Sequence, residues 1–125
     1  MATQEAVMTT QDIANRLKEL FNEGKWVEAQ TELFSEDVES IEPAHSPGLK
    51  TVKGLDAIKK KAEDFNNMLE EMHGGWVSEP VVAGNFIAFG MGMDATYKGM
   101  GRQKMDEICL YEVKDGKIVK EQFFY

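Results

Sequence analysis

Apolar residues in the first 72 positions recur in steps of three and four, and from Trp76 onward in steps of two. The first pattern predicts helices and the second predicts strands. Ile13, Leu17, Leu20 and Phe21 form one helical stripe, preceded by Thr9 and Asp12, an N-cap with an acid in the first turn, and ended by Gly24. A second, short helix gathers Trp26, Ala29, Leu33 and Phe34 on one side. The third carries Leu55, Ile58, Ala62, Phe65, Leu69 and Met72 on its apolar face, and Gly74 and Gly75 stop it. Its other face pairs Lys59 with Glu63 and Lys60 with Asp64 at i,i+4, a solvated flank.

The period of two predicts strands over 76–82, 86–97, 103–113 and 117–125. Short turns join them, and Asp115-Gly116 is a hairpin signal because both residues accept positive φ. Short turns require antiparallel neighbours, so the C-terminal half reads as a meander and the whole as an α+β domain with helices on one sheet face. Both strand faces are apolar. Ile87, Phe89, Met91, Met93 and Tyr97 oppose Phe86, Ala88, Gly90 and Gly92; Met105, Cys109, Tyr111 and Val113 oppose Ile108 and Leu110. A sheet with water on one side alternates more cleanly, so the second face is expected to meet another subunit. Gly90 and Gly92 predict a bent strand or a close contact.

Composition narrows the function classes. The 125 residues suit one domain over 1–125, with 1–8 as an N-terminal arm. A net charge of −8 repels phosphate backbones, so no nucleic-acid partner is expected. No apolar run is long enough for a membrane span, and the N-terminus lacks a signal-peptide pattern, so no membrane partner and a cytoplasmic location are expected. Cys109 is alone, which leaves no disulfide framework. No His, Cys or acid pair has metal-ligand spacing, and no nucleophile motif or phosphate loop is present.

Three stretches, "NEGKWVEAQTELFSEDVESIEP", "VKGLDAI" and "EVKDGKIVKEQFFY", stand in an order that resembles the nuclear-transport-factor-2-like superfamily, and within it the SnoaL-like and ketosteroid-isomerase-like proteins. The resemblance implies a cone of strongly curved antiparallel sheet, closed by helices around a ligand-sized apolar cavity. It also implies a homodimer through the outer sheet face and chemistry without a cofactor. The fold alone does not specify an activity.

If residues 38–42 are extended, Val38, Ser40 and Glu42 share a face, while Glu39 turns to solvent. Ketosteroid isomerases place their proton-shuttling aspartate immediately before a proline in this segment, where Glu42-Pro43 stands here. A carboxylate at an apolar cavity is a good general base; a solvated glutamate at a strand end is the plainer alternative. The family's oxyanion donors are a tyrosine on the first helix and a protonated acid on a later strand. The first falls near Leu17, which cannot donate, and the second near Asp106 or Glu107. Alternation favours Glu107, which shares a face with Met105, Cys109 and Tyr111, although both acids at an open sheet edge is the blander reading.

Glu121 alternates with Val119, Phe123 and Tyr125 and points inward or to a rim ion pair; Asp94 sits outside or in a dimer contact. His45, between two prolines, is an exposed loop residue or a proton carrier at the mouth, and His73 a helix C-cap. The implied cavity draws Leu17 and Phe21 from the first helix, Met91 and Met93 from one strand, and Cys109, Tyr111, Glu121 and Phe123 from the last two. Met68, Met72 and Met105 extend an adaptable apolar lining. Two functions follow. One is a small-molecule-binding enzyme of isomerase, cyclase or dehydratase type, with Glu42 as base, Glu107 as acid or oxyanion partner and His45 assisting. The other is a non-catalytic dimeric association or ligand-carrier domain, which the missing donor at Leu17 favours.

Overall fold

The computed structural model describes residues 7–46 and 48–125. Most of the expected N-terminal arm, residues 1–6, therefore lies outside the described residues. Met8 packs against the core, and Val7 lies against the turn at Gly116.

Helix α1 (Thr10–Asn22) begins with a reciprocal cap. The Asp12 N–H donates to Thr9 Oγ1 and the Thr9 N–H donates to Asp12 Oδ2, each at 3.0 Å. Gly24, at φ 71°, turns the chain into α2 (Trp26–Leu33). The Trp26 ring stacks on Phe21 with centroids 4.5 Å apart. Phe34, expected in this helix, instead starts strand β1 (Phe34–Ile41), and a two-residue strand β2 (Val52–Lys53) folds back on it.

Helix α3 (Leu55–Met68) ends before Leu69 and Met72, which the helical spacing had included. Those residues belong to β3 (Leu69–Val77), which pairs with β5 (Phe86–Tyr97) from Leu69 opposite Tyr97 to Val77 opposite Met91. The edge of β5 from Met91 to Tyr97 offers backbone groups to pair, and satisfying them outweighs continuing an apolar helical stripe. Gly74 and Gly75 thus lie within a strand rather than ending a helix, and His73 caps nothing: its Nε2 meets Thr96 Oγ1 at 2.7 Å.

Strands β4 (Val81–Ala83), β6 (Gly101–Lys114) and β7 (Lys117–Phe124) complete a sheet ordered β2-β1-β7-β6-β5-β3, with β4 paired to β5. The β6–β7 turn has Asp115 at φ 52° and Gly116 at φ 76°, as their sequence requires. The sheet is strongly curved and unclosed, but it is mixed rather than wholly antiparallel, because β1 runs parallel to β7. Two strands so far apart in sequence need no hairpin, which removes the constraint that makes the meander antiparallel. A bulge leaves Val119 unpaired between Val113–Ile118 and Glu112–Lys120. Ile118, not Val119, is therefore the core residue at the start of β7, while Glu121 still faces inward.

Helices α1 and α3 cover the inner sheet face. Ile13, Leu17 and Phe21 of α1 and Ile58 of α3 meet Ile87, Phe89, Cys109 and Tyr111 in one buried core. The outer face keeps Trp76, Phe86, Ile108 and Phe124 about half exposed. Trp76 lies across β5 on a shelf made by Gly90 and Gly92; a Cβ on Gly92 would overlap the indole nitrogen, and one on Gly90 would sit 3.2 Å from the ring. The indole N–H donates to Asp106 Oδ1 at 3.2 Å, and Asp94 on the same face pairs with Arg102 at 2.8 Å. Among the described residues no helix is long and apolar enough to cross a membrane.

Candidate functional site

The inner face carries a polar cluster at the end where β1, β7 and α3 meet. Parallel pairing sets Ser40 opposite Glu121. Alternation along β1 points Val38, Ser40 and then Glu42 inward, so a hydroxyl and two carboxylates are enclosed, Glu42 only 8% and Glu121 only 5% exposed. The Ser40 hydroxyl donates to Glu121 Oε1 at 2.8 Å. From α3, Lys61 Nζ donates to Ser40 Oγ at 2.8 Å and forms an ion pair with Glu42 Oε2 at 2.6 Å, its side chain 11% exposed.

The loop after β1 is tied to the same cluster. Tyr125 Oη lies 2.8 Å from Glu42 Oε1 and 2.9 Å from Ser46 Oγ. A phenol has one proton, so when Tyr125 donates to Glu42 it accepts from the Ser46 hydroxyl. The Glu42 N–H donates to Thr51 Oγ1 at 3.0 Å across the loop. His45 is exposed and meets Tyr125 edge to face, with centroids 5.8 Å apart.

Of the two candidate acids on β6, Asp106 lies outside with Trp76, and Glu107 lies inside opposite Met91 of β5. Glu107 is half-buried, and its closest polar contact is the Cys109 thiol, which donates to Oε1 at 3.5 Å. Met93 and Met105 pair beside it, and Phe123 pairs with Cys109 on the next strand. The structure thus gathers Glu42, Glu107 and Glu121 on one inner surface. Leu17, Phe21, Met91, Cys109 and Tyr111 are packed into the core below, whereas Met93 and Phe123 remain half-buried.

Enclosure beside one another alters the proton affinity of Glu121 and Glu107. Burial pushes Glu121 up to about 7, with the neighbouring Glu42 and Glu107 charges adding to the rise and Ser40 and Lys61 opposing it. Burial also raises Glu107 above the usual carboxylate range, helped by the charge of Glu42 and opposed by the Cys109 hydrogen bond and Lys61. Tyr125 is pushed up to about 12, chiefly by burial, with its bond to Glu42 contributing. The Cys109 thiol is raised by burial and by Glu107, which keeps it protonated and unreactive.

The cluster's cation was missed by sequence reasoning. Lys61 lies three residues after Ile58 and four before Phe65, on the apolar stripe, but it ends a run of three lysines that reads as solvated flank. Alternation with Glu121 puts Tyr125 on the inward face, but its tie to Glu42 and to Ser46 in a distant loop leaves no local signal. Among the described residues no three His, Cys, Asp or Glu side chains are grouped to hold a metal ion. Two cavities lie elsewhere: a depression of about 110 Å³ on the outer face by Phe86 and Leu110, and an open groove of about 580 Å³ beside Val27 and Thr31.

A curved, unclosed sheet packed by three helices is the architecture of the SnoaL-like and ketosteroid-isomerase-like proteins. The chain belongs to the SnoaL-like domain family, whose sequence profile matches residues 8–125. A Mesorhizobium loti protein provisionally assigned as a SnoaL-like polyketide cyclase is 35% identical, with a TM-score of 0.88 over 94% of this chain and 100% of its own. A Xanthomonas campestris protein of unknown function with a cystatin-like fold is 19% identical, with a TM-score of 0.77 over 94% of this chain and 90% of its own. A Pseudomonas putida protein, also provisionally assigned as a polyketide cyclase, is 20% identical, with a TM-score of 0.67 over 94% and 92%. No functionally curated protein matches the sequence significantly.

Proposed function

We propose that the chain binds a small, mainly apolar carbonyl compound on its inner sheet face and moves a proton within it without a cofactor. The reaction class is isomerisation, cyclisation or dehydration. The observation that carries this reading is Glu107, a half-buried carboxylate opposite Met91 and beside the Met93–Met105 pair, raised by burial and bonded to no cation among the described residues. Such a group takes a proton from carbon near neutral pH better than an ordinary glutamate. Glu42, in the position matching the family's base, has one oxygen engaged by Lys61 and the other by Tyr125, so a substrate must displace a partner to reach it. Glu42 then acts by holding Lys61, and His45 meets the ligand at the mouth. Leu17, Phe21, Met91, Cys109 and Tyr111 form the floor, Met93 and Phe123 the walls, and Glu121 sets the charge from behind Ser40. The likeness to the Mesorhizobium loti protein supports the reading, because polyketide cyclisation begins with proton loss beside a carbonyl group.

The test is deuterium exchange at the α-carbon of 2-tetralone, a flat apolar ketone, followed by proton NMR. The native chain should accelerate exchange over buffer, and Glu107→Gln should remove about a hundredfold or more of that acceleration. Equal rates in the two proteins would remove Glu107 from the chemistry.

A second reading, a non-catalytic association or ligand-carrier domain, is favoured by the tight packing of Leu17, Phe21 and Tyr111. It predicts no exchange above buffer. Under either reading, two copies pair through the outer face, because Trp76, Phe86, Ile108 and Phe124 stand half exposed on it. Sedimentation velocity should show a dimer that Ile108→Lys splits; a native chain that stays monomeric at all micromolar concentrations would overturn the pairing.

A further inference from the structure

When Glu107 takes a proton from carbon, the C–H electron pair moves onto the carbonyl oxygen, and the resulting enolate oxygen needs a hydrogen-bond donor in a site shielded from water. Leu17, at the first-helix position where the resemblance would supply that donor, is fully buried and has no polar side-chain atom. We propose that the ammonium of Lys61, carried into the acid cluster by α3, is this donor and binds the enolate oxygen of a small ketone. The inference rests on the reading of Glu107 as base.

An ammonium has three N–H groups. Ser40 Oγ and Glu42 Oε2 occupy two, at 2.8 and 2.6 Å, and among the described residues Nζ has no third polar partner. Nζ also stands over the Phe123 ring of β7, 5.4 Å from its centroid. Phe123 pairs with Cys109, whose thiol meets Glu107 Oε1, so Lys61 from α3 and Glu107 from β6 approach the same patch of the inner face. With the side chain only 11% exposed, the donor is held in place by Ser40 and Glu42 and poorly screened, the condition in which a fixed cation stabilises developing charge most.

The step conserves charge. Glu107 begins as carboxylate and ends as neutral acid, while one negative charge appears on the enolate oxygen beside Lys61. In an isomerisation, Glu107 returns its proton to a different carbon and the enolate electron pair forms that C–H bond. In a cyclisation, the enolate carbon attacks a second carbonyl, and the new alkoxide takes the proton from Glu107. Either route restores the starting carboxylate, and neither needs an oxidant or reductant. The preferred substrate is a carbonyl compound with an ionisable α-C–H; a simple hydrocarbon or alcohol offers Lys61 no oxyanion.

The probe is 2-naphthol, the planar analogue of the 2-tetralone enolate, with naphthalene as a control that has the same shape and no oxygen. Naphtholate absorbs at longer wavelength than naphthol, so ionisation on binding is read directly. The native chain should bind both and bind 2-naphthol in the naphtholate form, its proton held by Glu107. Lys61→Met should weaken naphtholate binding by about tenfold or more, the size of a charge-assisted hydrogen bond, and leave naphthalene binding unchanged, whereas Lys61→Arg should retain most of it. Because Lys61→Met strands a buried carboxylate, Glu42→Gln/Lys61→Met is measured beside it, and the same loss is expected there. Undiminished naphtholate binding in either methionine variant would overturn the assignment of Lys61. A native chain that binds neither probe would instead overturn the small-molecule reading beneath it.

Discussion

Glu121→Gln offers a direct measure of how the enclosed cluster is electrostatically balanced. Unfolded, Glu121 titrates near its ordinary 4.5; folded, burial holds it near 7. Between these values the native state binds more protons than the unfolded state, so stability falls as pH rises. The contribution is fully present below about pH 4.5 and is lost as pH rises to about 7, an interval of about 2.5 units that corresponds to roughly 3 kcal/mol at 25 °C. The amide is nearly isosteric, keeps a bond with Ser40 and cannot ionise, so it removes the titration and little else. Urea denaturation of both proteins from about pH 4 to pH 8 isolates the effect, because carboxylates remote from the cluster cancel in the difference. The advantage of the glutamine variant should widen by roughly 3 kcal/mol toward high pH. A flat difference would show that Glu121 is not held above its ordinary range. A difference that narrows would show that Lys61, acting through Ser40, keeps Glu121 ionised and overcomes its burial.

Lys61→Met should cost about 3–5 kcal/mol, because it leaves the Glu42 carboxylate buried beside an apolar side chain, and Glu42→Gln/Lys61→Met should cost clearly less. Equal losses in denaturant melts of the single and double variants would mean that the two charges do not depend on each other. On the outer face, Gly92→Ala puts a methyl group into the Trp76 indole and 2.6 Å from Asp106 Oδ1, so the ring must leave its shelf. In a Trp26→Phe background, where Trp76 is the one remaining tryptophan, its emission should shift to the red and stability should fall by about 1–3 kcal/mol; an unmoved spectrum would refute the shelf.

Local sequence reports local structure well. Thr9 with Asp12, Gly24 and Asp115-Gly116 each impose a backbone geometry on their own neighbourhood, and each stands where its chemistry predicts. The inward turn of Glu42 and the choice of Glu107 over Asp106 follow from strand alternation, which has a period of two and few exceptions. What was illegible depends on partners distant in sequence. Leu69 and Met72 fit a helical stripe, but β5 claims their backbone; Val119 fits the strand alternation, but a bulge removes it. Lys61 carries no sign of burial in its own segment, because its counter-charges come from β1 and β7. A buried cation is recognisable only once the strands that enclose it have been placed.

The parallel pairing of β1 with β7 also governs when this cluster can exist. Ser40 bonds to Glu121 across 81 positions, and Glu42 to Tyr125 across 83. Closing so long a loop costs chain entropy before any contact compensates it, and non-local pairing of this kind slows folding. On a growing chain, α1, α2 and β1 have emerged long before the residues of β7, so Ser40 and Glu42 wait in water without their partners. Glu42 gains its Tyr125 contact, and Glu121 its raised proton affinity, only when the last strand docks. The complete cluster is thereby withheld from every partly synthesised chain, a checkpoint imposed by strand order alone.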